Sequence, residues 1–390
     1  MKPFNTLTSA VPPSGIRKIY EMSLGIEGCL HLETGQPDFR TPEHILEAVA
    51  QAARDGFTQY TSSAGIPELV EAIARKVVDK NGFQCEPKNI VVSAGAICSL
   101  LTTLFAVVEH GDEVLIPDPA WPNYMSQMAV IGSVGVQYPL IPSEGFTIDF
   151  DALEKRVTPK TKAMIINTPG NPTGAVFKPE TVEKIVEFAN RHDLYLISDE
   201  VYEDIIFEGA HTSAGLFDHD GRVITIFGFS KTYAATGLRM GYSVCEEKLA
   251  ALITKLQQPV VICPPSISQK GCVAALNGPQ DSIGEMVSVY RSRRDIVVEI
   301  LKENGLYTYT PEGAFYIMVD ISKTGMNSEE FCLDLLKQKK VAVAPGDTFG
   351  EVSSKFVRIA FCTDTEKLIT GTNLLCDYIN GTAPPGWQRH

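Results

Sequence analysis

No C-x-x-C pair occurs among the nine cysteines, and no H-E-x-x-H or comparable ligand spacing among the seven histidines. The cysteines therefore read as small buried hydrophobes of a reducing compartment, and no metal site is expected. No apolar run approaches the length of a bilayer span, so no membrane is expected. Positive charge is also short. With 34 Lys and Arg against 47 Asp and Glu the net charge is −13, which disfavours nucleic acid or anionic lipid as a general partner. The stretch from Met1 to Ser14 carries Lys2 but no apolar segment of the signal-peptide kind, so a cytoplasmic protein is expected. What remains is ordinary globular material: 390 residues, 44% hydrophobic and 21% charged, enough for two domains and a large core.

The chain opens with the helix-breaking Pro12-Pro13-Ser14-Gly15-Ile16-Arg17, followed by a short helix through Ile19 to Leu24. A strand at Leu30 to Glu33 leads into Gly35-Gln-Pro-Asp-Phe39, and Thr41-Pro42 begins a helix. A second helix runs from Pro67 until Asn81-Gly82 closes it, and Tyr60 lies in the loop between the two. From Asn89 the pattern changes. Short apolar runs at 89–93, 113–116, 162–166, 194–198, 223–227 and 241–245 read as strands, several separated by helices such as 96–108 and 179–191. That alternation predicts an α/β domain with a mostly parallel sheet flanked by helices. A polar helix at 289–303 leading into the run 307–319, a helix at 328–339, strands at 341–344 and 355–361 and a last helix make a smaller α+β domain built from both chain ends. The expected division is 1–44 for the arm and part of the small domain, 45–290 for the large domain and 291–390 for the rest. The tail from Gly381 to His390 is expected to fray.

Chemistry concentrates in Phe229-Ser-Lys-Thr-Tyr-Ala-Ala-Thr-Gly-Leu-Arg-Met-Gly241. The run Val223 to Gly228 reads as a buried strand, so Lys231 sits just past a strand end, a rigid place for a reactive amine. Arg239, flanked by Gly237 and Gly241, supplies a planar fork suited to phosphate. Ser230-Lys-Thr232 is not a P-loop ending, because serine stands where that motif needs glycine.

Other strand ends are equally unusual. Ser93-Ala-Gly-Ala96 joins a strand to a helix, which suits backbone binding of phosphate or is simply a tight turn. Asp118-Pro-Ala-Trp-Pro-Asn-Tyr124 puts Trp121, one of two tryptophans, in a proline-held loop, where it could stack on a flat group or pack in the core. Asn167-Thr-Pro-Gly-Asn-Pro-Thr-Gly174 reads as a loop in which Asn171 can donate a hydrogen bond. Ser198-Asp-Glu-Val-Tyr202 places a carboxylate at the end of an apolar strand, costly unless paired.

Taken in order and at these separations, Asn-Pro-Thr-Gly, Asp-Glu-Val-Tyr and Ser-Lys-Thr…Gly-Leu-Arg-Met-Gly resemble the fold-type I pyridoxal-phosphate enzymes, more closely the aspartate-aminotransferase-like class I and II aminotransferases. The resemblance extends from Ser14-Gly15-Ile16 through Pro311-Glu-Gly-Ala-Phe-Tyr316 and Pro345-Gly-Asp-Thr-Phe-Gly350 to Arg358. It implies pyridoxal 5'-phosphate as cofactor, bound in the 45–290 domain. Lys231 is then the Schiff-base lysine and general base, and Asp199 the partner of the pyridinium nitrogen. Tyr202 and Asn171 bond the phenolic oxygen, and Trp121 stacks on the ring. The phosphate rests on the amides of Gly95, Ala96 and Ile97 with Ser230, Arg239 and, from a second subunit, Tyr60. Arg358 grips the substrate carboxylate beside Gly35, with Ile16, Asn171 and Trp121 in the same pocket. A homodimer with shared sites and ping-pong transfer between amino acids and 2-oxo acids follow from the same resemblance.

Several family members that take dicarboxylates place a lysine in the phosphate turn where this chain has Ile97, and the family pattern implies that Gly15 and Ile16 line the same pocket, making it neutral and partly apolar. Neutral or aromatic donors are therefore expected over aspartate. Arg40 reads as a solvated surface arginine, with a distal-carboxylate role as the alternative. A carbon–sulfur β-lyase on the same fold would keep Lys231, Asp199, Arg239 and Arg358. A ligand-sensing regulator would carry an added basic domain, for which this acidic chain has no sign.

Overall fold

The computed structural model describes residues 2, 4, 6–9, 11–12 and 14–382. Thirteen strands occur among them: β1 (Leu30–His31), β2 (Ile90–Ser93), β3 (Glu113–Asp118), β4 (Val134–Ile141), β5 (Thr147–Ile148), β6 (Thr161–Asn167), β7 (Tyr195–Asp199), β8 (Val223–Gly228), β9 (Gly241–Val244), β10 (Tyr316–Asp320), β11 (Val341–Ala342), β12 (Ala344–Pro345) and β13 (Phe356–Ala360). The six strands expected between 89 and 245 all enter one eight-stranded sheet, ordered β2-β9-β8-β7-β6-β3-β4-β5. Its centre, β8, β7, β6, β3 and β4, is parallel; β9 runs against both its neighbours and β5 against β4. Helices must cover such a sheet because its strands are apolar on both faces, and β6, β7 and β8 are buried almost end to end. The helix Pro179–Arg191 begins on a proline at its first turn and buries Val182, Ile185, Val186, Phe188 and Ala189.

A smaller antiparallel sheet, β10-β13-β12, lies in the C-terminal part, and β1 pairs in parallel with β11. That second pairing joins residues 30–31 to 341–342, so both chain ends build the smaller part, as expected. Other expectations need correction. The strand anticipated at 341–344 is two short strands in different sheets, broken at Val343. The strand β4 escaped notice because Gly135 and Pro139 interrupt its apolar pattern and it lies one strand from the sheet edge. The helix anticipated at 289 begins at Asp281, its first turns being polar and holding Gly284, and helices at Glu247–Val261 and Ser266–Asn277 were not anticipated. The last helix runs through Gly381 to Thr382, so the frayed tail does not begin where expected; the remainder of that tail, 383–390, lies outside the described residues.

The carboxyl ends of β3, β6, β7 and β8 fall along one edge of the sheet, bringing Asp118, Asn167, Asp199 and Gly228 side by side. Asn167 and Asp199 are register partners, and Asp199 also faces Ile226 of β8. One close approach tightens this edge. A Cβ on Gly241, at the start of β9, would collide with the backbone of Gly95 and Ala96, so only glycine lets the turn after β2 lie against β9.

Candidate active site

At that edge a cleft of about 620 Å³ opens, in the usual size range for a small-molecule site. Four cations line it, Arg17, Lys231, Arg239 and Arg358, against the single carboxylate of Asp199. In a chain of net charge −13 this is a local inversion of sign, and it favours an anionic ligand.

Lys231 rides on a four-residue helix, Phe229–Thr232, that starts where β8 ends. Its Nζ donates to the carbonyl of Gly35 at 2.7 Å and has no carboxylate partner there. Burial, reinforced by the charges of Arg358 and Arg239, pulls its pKa down to about 8. A lysine so tuned is within reach of its neutral, nucleophilic form near physiological pH.

Asp199 ends β7 and is 6% exposed. The Tyr124 hydroxyl donates to its Oδ2 at 2.6 Å and the Val201 N–H reaches Oδ1 at 3.4 Å, but both donors are neutral. Burial therefore raises the carboxyl to about 6 despite these bonds. Burial also holds the Tyr124 phenol well above its ordinary value, so it remains a donor. A buried carboxylate supplied with donors but no cation is prepared for a positively charged group in the cleft.

The opposite imbalance exists at Arg358, on β13 and 2% exposed. One guanidinium nitrogen donates to Asn171 Oδ1 at 2.9 Å, another to the Glu33 carbonyl, and Nε has no partner. The guanidinium lies 4.4 Å from the Tyr316 ring centre and 4.9 Å from that of Phe349. Aromatic walls on a planar cation whose hydrogen-bond partners are all neutral make a receptor for a carboxylate. Tyr316 also bonds the Tyr202 hydroxyl at 2.9 Å, tying this corner to the residue three positions after Asp199.

The turn after β2 holds Gly95 at φ 85 and launches the helix Ala96–Val107. Ala96 and Ile97 line the cleft with Ser230 and Arg239. Gly95 does not: its N–H turns back to the Ser93 carbonyl at 2.8 Å, so this expected phosphate donor is occupied within its own tight turn. Arg239 is exposed and its bond to the Thr236 carbonyl, at 3.0 Å, is the kind an anion displaces.

Of the remaining expected residues, Ile16, Gly35, Trp121, Asn171 and Tyr202 line the cleft. Trp121 stands edge-on to Tyr124 with ring centres 5.6 Å apart. Gly15 borders an adjoining cavity instead, and Arg40 is exposed and outside the lining, as a solvated arginine should be. Tyr60 does not touch the cleft of its own chain and is 81% exposed. Sequence reasoning missed Tyr124, Tyr316, Arg17 and Tyr20. Tyr124 and Tyr316 stand within quoted motifs without a signal that sets their hydroxyls apart; Arg17 had one usable signal, its place beside Ile16. No group of metal-ligating side chains occurs among the described residues.

The chain is 40% identical over 363 residues to the aromatic-amino-acid aminotransferase 2 of Thermococcus litoralis, covering 92% of this chain and 93% of that one. It is 41% identical over 363 residues to an aspartate aminotransferase of Pyrococcus abyssi, with coverage of 92% and 93%. Among solved structures, the aromatic aminotransferase from Pyrococcus horikoshii OT3 superposes with a TM-score of 0.88 at 38% identity, over 94% of this chain and 99% of that one. The Thermus thermophilus aspartate aminotransferase with maleate gives 0.92 at 33% identity, over 96% and 99%. Residues 27–371 match the family aminotransferase class I and II. The alternating α/β architecture, the lysine at the end of β8 and the full-length likeness agree: this chain belongs to the class I and II aminotransferases and has their fold-type I architecture.

Proposed function

We propose that the protein is a pyridoxal 5'-phosphate-dependent aminotransferase that moves the amino group of an L-α-amino acid to a 2-oxo acid in ping-pong fashion. The observation that carries this reading is the pairing of opposite deficits around Lys231: a buried carboxylate without a cation at Asp199 and a buried guanidinium without an anion at Arg358. Pyridoxal phosphate and an amino acid together supply both missing charges, and the cofactor when bound provides an electron sink for the bond broken at the substrate Cα.

In this reading Asp199, oriented by the Tyr124 hydroxyl, holds the proton on the ring nitrogen. Tyr202 and Asn171 bond the phenolic oxygen, and Trp121 stacks on the ring face. The amides of Ala96 and Ile97, with Ser230 and Arg239, take the phosphate at the start of a helix. Arg358 takes the substrate carboxylate in a bidentate fork beside Gly35. Lys231 would hold the cofactor through its Nζ, and as a free amine the same Nζ would accept the proton from the substrate Cα. Its lowered pKa suits that task, because a fully protonated lysine accepts no proton.

Relatives named for aromatic amino acids and for aspartate set the donor range to test, while none of these is named a lyase. Ile16, Tyr20 and Trp121 favour neutral or aromatic side chains over aspartate. The test is single turnover of holoenzyme against one amino acid at a time, without oxo acid. Conversion of the bound cofactor to its aminated form, reversed by added oxo acid, is expected, fastest with aromatic donors. Release of pyruvate or a thiol with the cofactor unchanged would establish elimination instead.

The same reading makes the enzyme a homodimer with shared sites. Tyr60, Ile97, Phe105, Leu252, Val260 and Ile262 are exposed, and Phe105 and Leu252 lie on the helices Ala96–Val107 and Glu247–Val261, which pack on each other. Exposed apolar side chains on these two packed helices and at Ile97 in the phosphate turn support a second copy covering them. Tyr60→Phe is expected to weaken cofactor retention about tenfold, the loss of one hydrogen bond to a charged phosphate, measured by cofactor titration of the cofactor-free protein. Retention equal to the parent would sink the shared-site assignment.

A further inference from the structure

The segment between β1 and the helix Glu43–Arg54 has no regular structure from 32 to 42, yet Thr34, Gly35 and Gln36 of it form part of the cleft wall. Four successive carbonyls of this segment are caught by Lys231 and by residues of β13 or just after it. Leu32 accepts from the Ala360 N–H at 2.8 Å, Glu33 from Arg358, Thr34 from the Cys362 thiol at 3.7 Å, and Gly35 from Lys231 at 2.7 Å. These contacts fix only one end of the loop. Three residues beyond Gly35, Asp38 takes a bidentate bond from Arg293, at 2.9 and 2.8 Å.

Arg293 stands on the helix Asp281–Glu303 with its side chain 8% exposed, against 27% for Asp38. The same guanidinium donates to the Phe361 carbonyl at 3.1 Å and, through Nε, to the Thr365 hydroxyl at 3.2 Å. Phe361 follows β13, the strand of Arg358. One arginine thus bonds the middle of the loop and the residue after that strand, while nearer the loop's far end the Thr41 hydroxyl donates to the Ala234 carbonyl at 2.8 Å. The Arg293 guanidinium carbon lies 5.7 Å from the Phe39 ring centre, covering the residue that follows Asp38.

We propose that Arg293 is a positioning residue for transamination: by clamping Asp38 to the end of β13, it sets the distance between the Gly35 carbonyl, the Lys231 amine and the Arg358 fork. It touches neither cofactor nor substrate. A bidentate, largely desolvated arginine pair has the stiffness the role requires, and an unclamped loop with Gln36 and Gly35 on the cleft wall would let the carboxylate pocket open. The proposal rests on the reading of Lys231 and Arg358 as the reacting and carboxylate-binding groups.

The test compares Arg293→Lys and Asp38→Asn with Arg358→Lys, all as holoenzymes. Arg293→Lys keeps the charge and the stem but not the fork, and it guards against the misfolding that Arg293→Ala risks. Expected for both clamp variants is a KM for the amino acid raised about tenfold, with kcat changed less and with cofactor content and melting temperature close to the parent. Titration of the Lys231 amine, read as the pH dependence of pyridoxal phosphate capture by the cofactor-free variants, should also move, because the Gly35 acceptor is displaced. The double variant should be no worse than either single one. Unchanged KM and unchanged titration in both clamp variants overturn the proposal, as does a loss confined to melting temperature and cofactor content. If Arg358→Lys itself leaves KM unchanged, the underlying reading of the pocket fails, a result distinct from failure of the clamp.

Discussion

Lys231→Ala is expected to abolish multiple turnover, with a loss of about 10⁴-fold or more, while KM for the amino acid stays within a few-fold of the parent. The asymmetry comes from the division of labour in the cleft. In the proposed reading Arg358, Asn171 and the Gly35 turn recognise the carboxylate and do not need the amine, whereas the other cations of the lining are arginines and its carboxylate, Asp199, is buried and bonded by Tyr124. Measurement of initial rates with each donor decides it, and retained multiple turnover would refute the role. The same lysine carries a pH prediction. With its pKa lowered to about 8 by burial and by Arg358 and Arg239, the neutral amine fraction rises tenfold per pH unit up to that value and then levels. Covalent capture of pyridoxal phosphate by cofactor-free protein should follow that curve, rising from pH 6 to 8 and flattening above. An ordinary lysine would keep climbing toward pH 10.

Much of this site was legible because its residues sit where the sequence changes character. Lys231, Asp199 and Asn171 each follow an apolar run, and in a parallel sheet the ends of such runs share an edge, so three motifs far apart in the chain converge on one place by that rule alone. The lysine and the two glycines around Arg239 stand out against their neighbours for the same reason. What escaped was polar chemistry carried by aromatic side chains inside regular elements. Tyr124 lies on the buried face of the helix Asn123–Ile131, and Tyr316 begins an apolar strand; only the fold shows that their hydroxyls meet Asp199 and Tyr202. Gly95 failed in the opposite direction. Its motif is a helix start, but which amides of such a start remain free depends on the turn's own hydrogen bonds. Arg293 was hidden by its surroundings. In a helix where charges abound, nothing distinguishes the arginine that points inward from those that point to water.

Asp199→Asn should separate function from stability in a way that few substitutions do. In the cofactor-free chain the carboxyl titrates near 6, above its ordinary value, so the folded state binds the extra proton between about pH 4 and 6. The sign follows directly: folding is weakened as pH rises through that window, and above it the ionised, unpaired carboxylate carries the whole cost, on the order of 2–3 kcal/mol. Asparagine removes that cost and still accepts the Tyr124 hydroxyl. Cofactor-free Asp199→Asn is therefore expected to melt higher than the parent at pH 8, by a margin that shrinks toward pH 4. Turnover should move the other way, falling on the order of 10³-fold, because a neutral amide cannot balance a protonated ring nitrogen. Added pyridoxal phosphate should then stabilise the parent more than the variant, since only the parent gains an ion pair at the ring nitrogen on binding. A variant that melts below the parent at pH 8 and keeps turnover within tenfold would show that Asp199 is an ordinary buried side chain of β7, held by Tyr124 for packing alone.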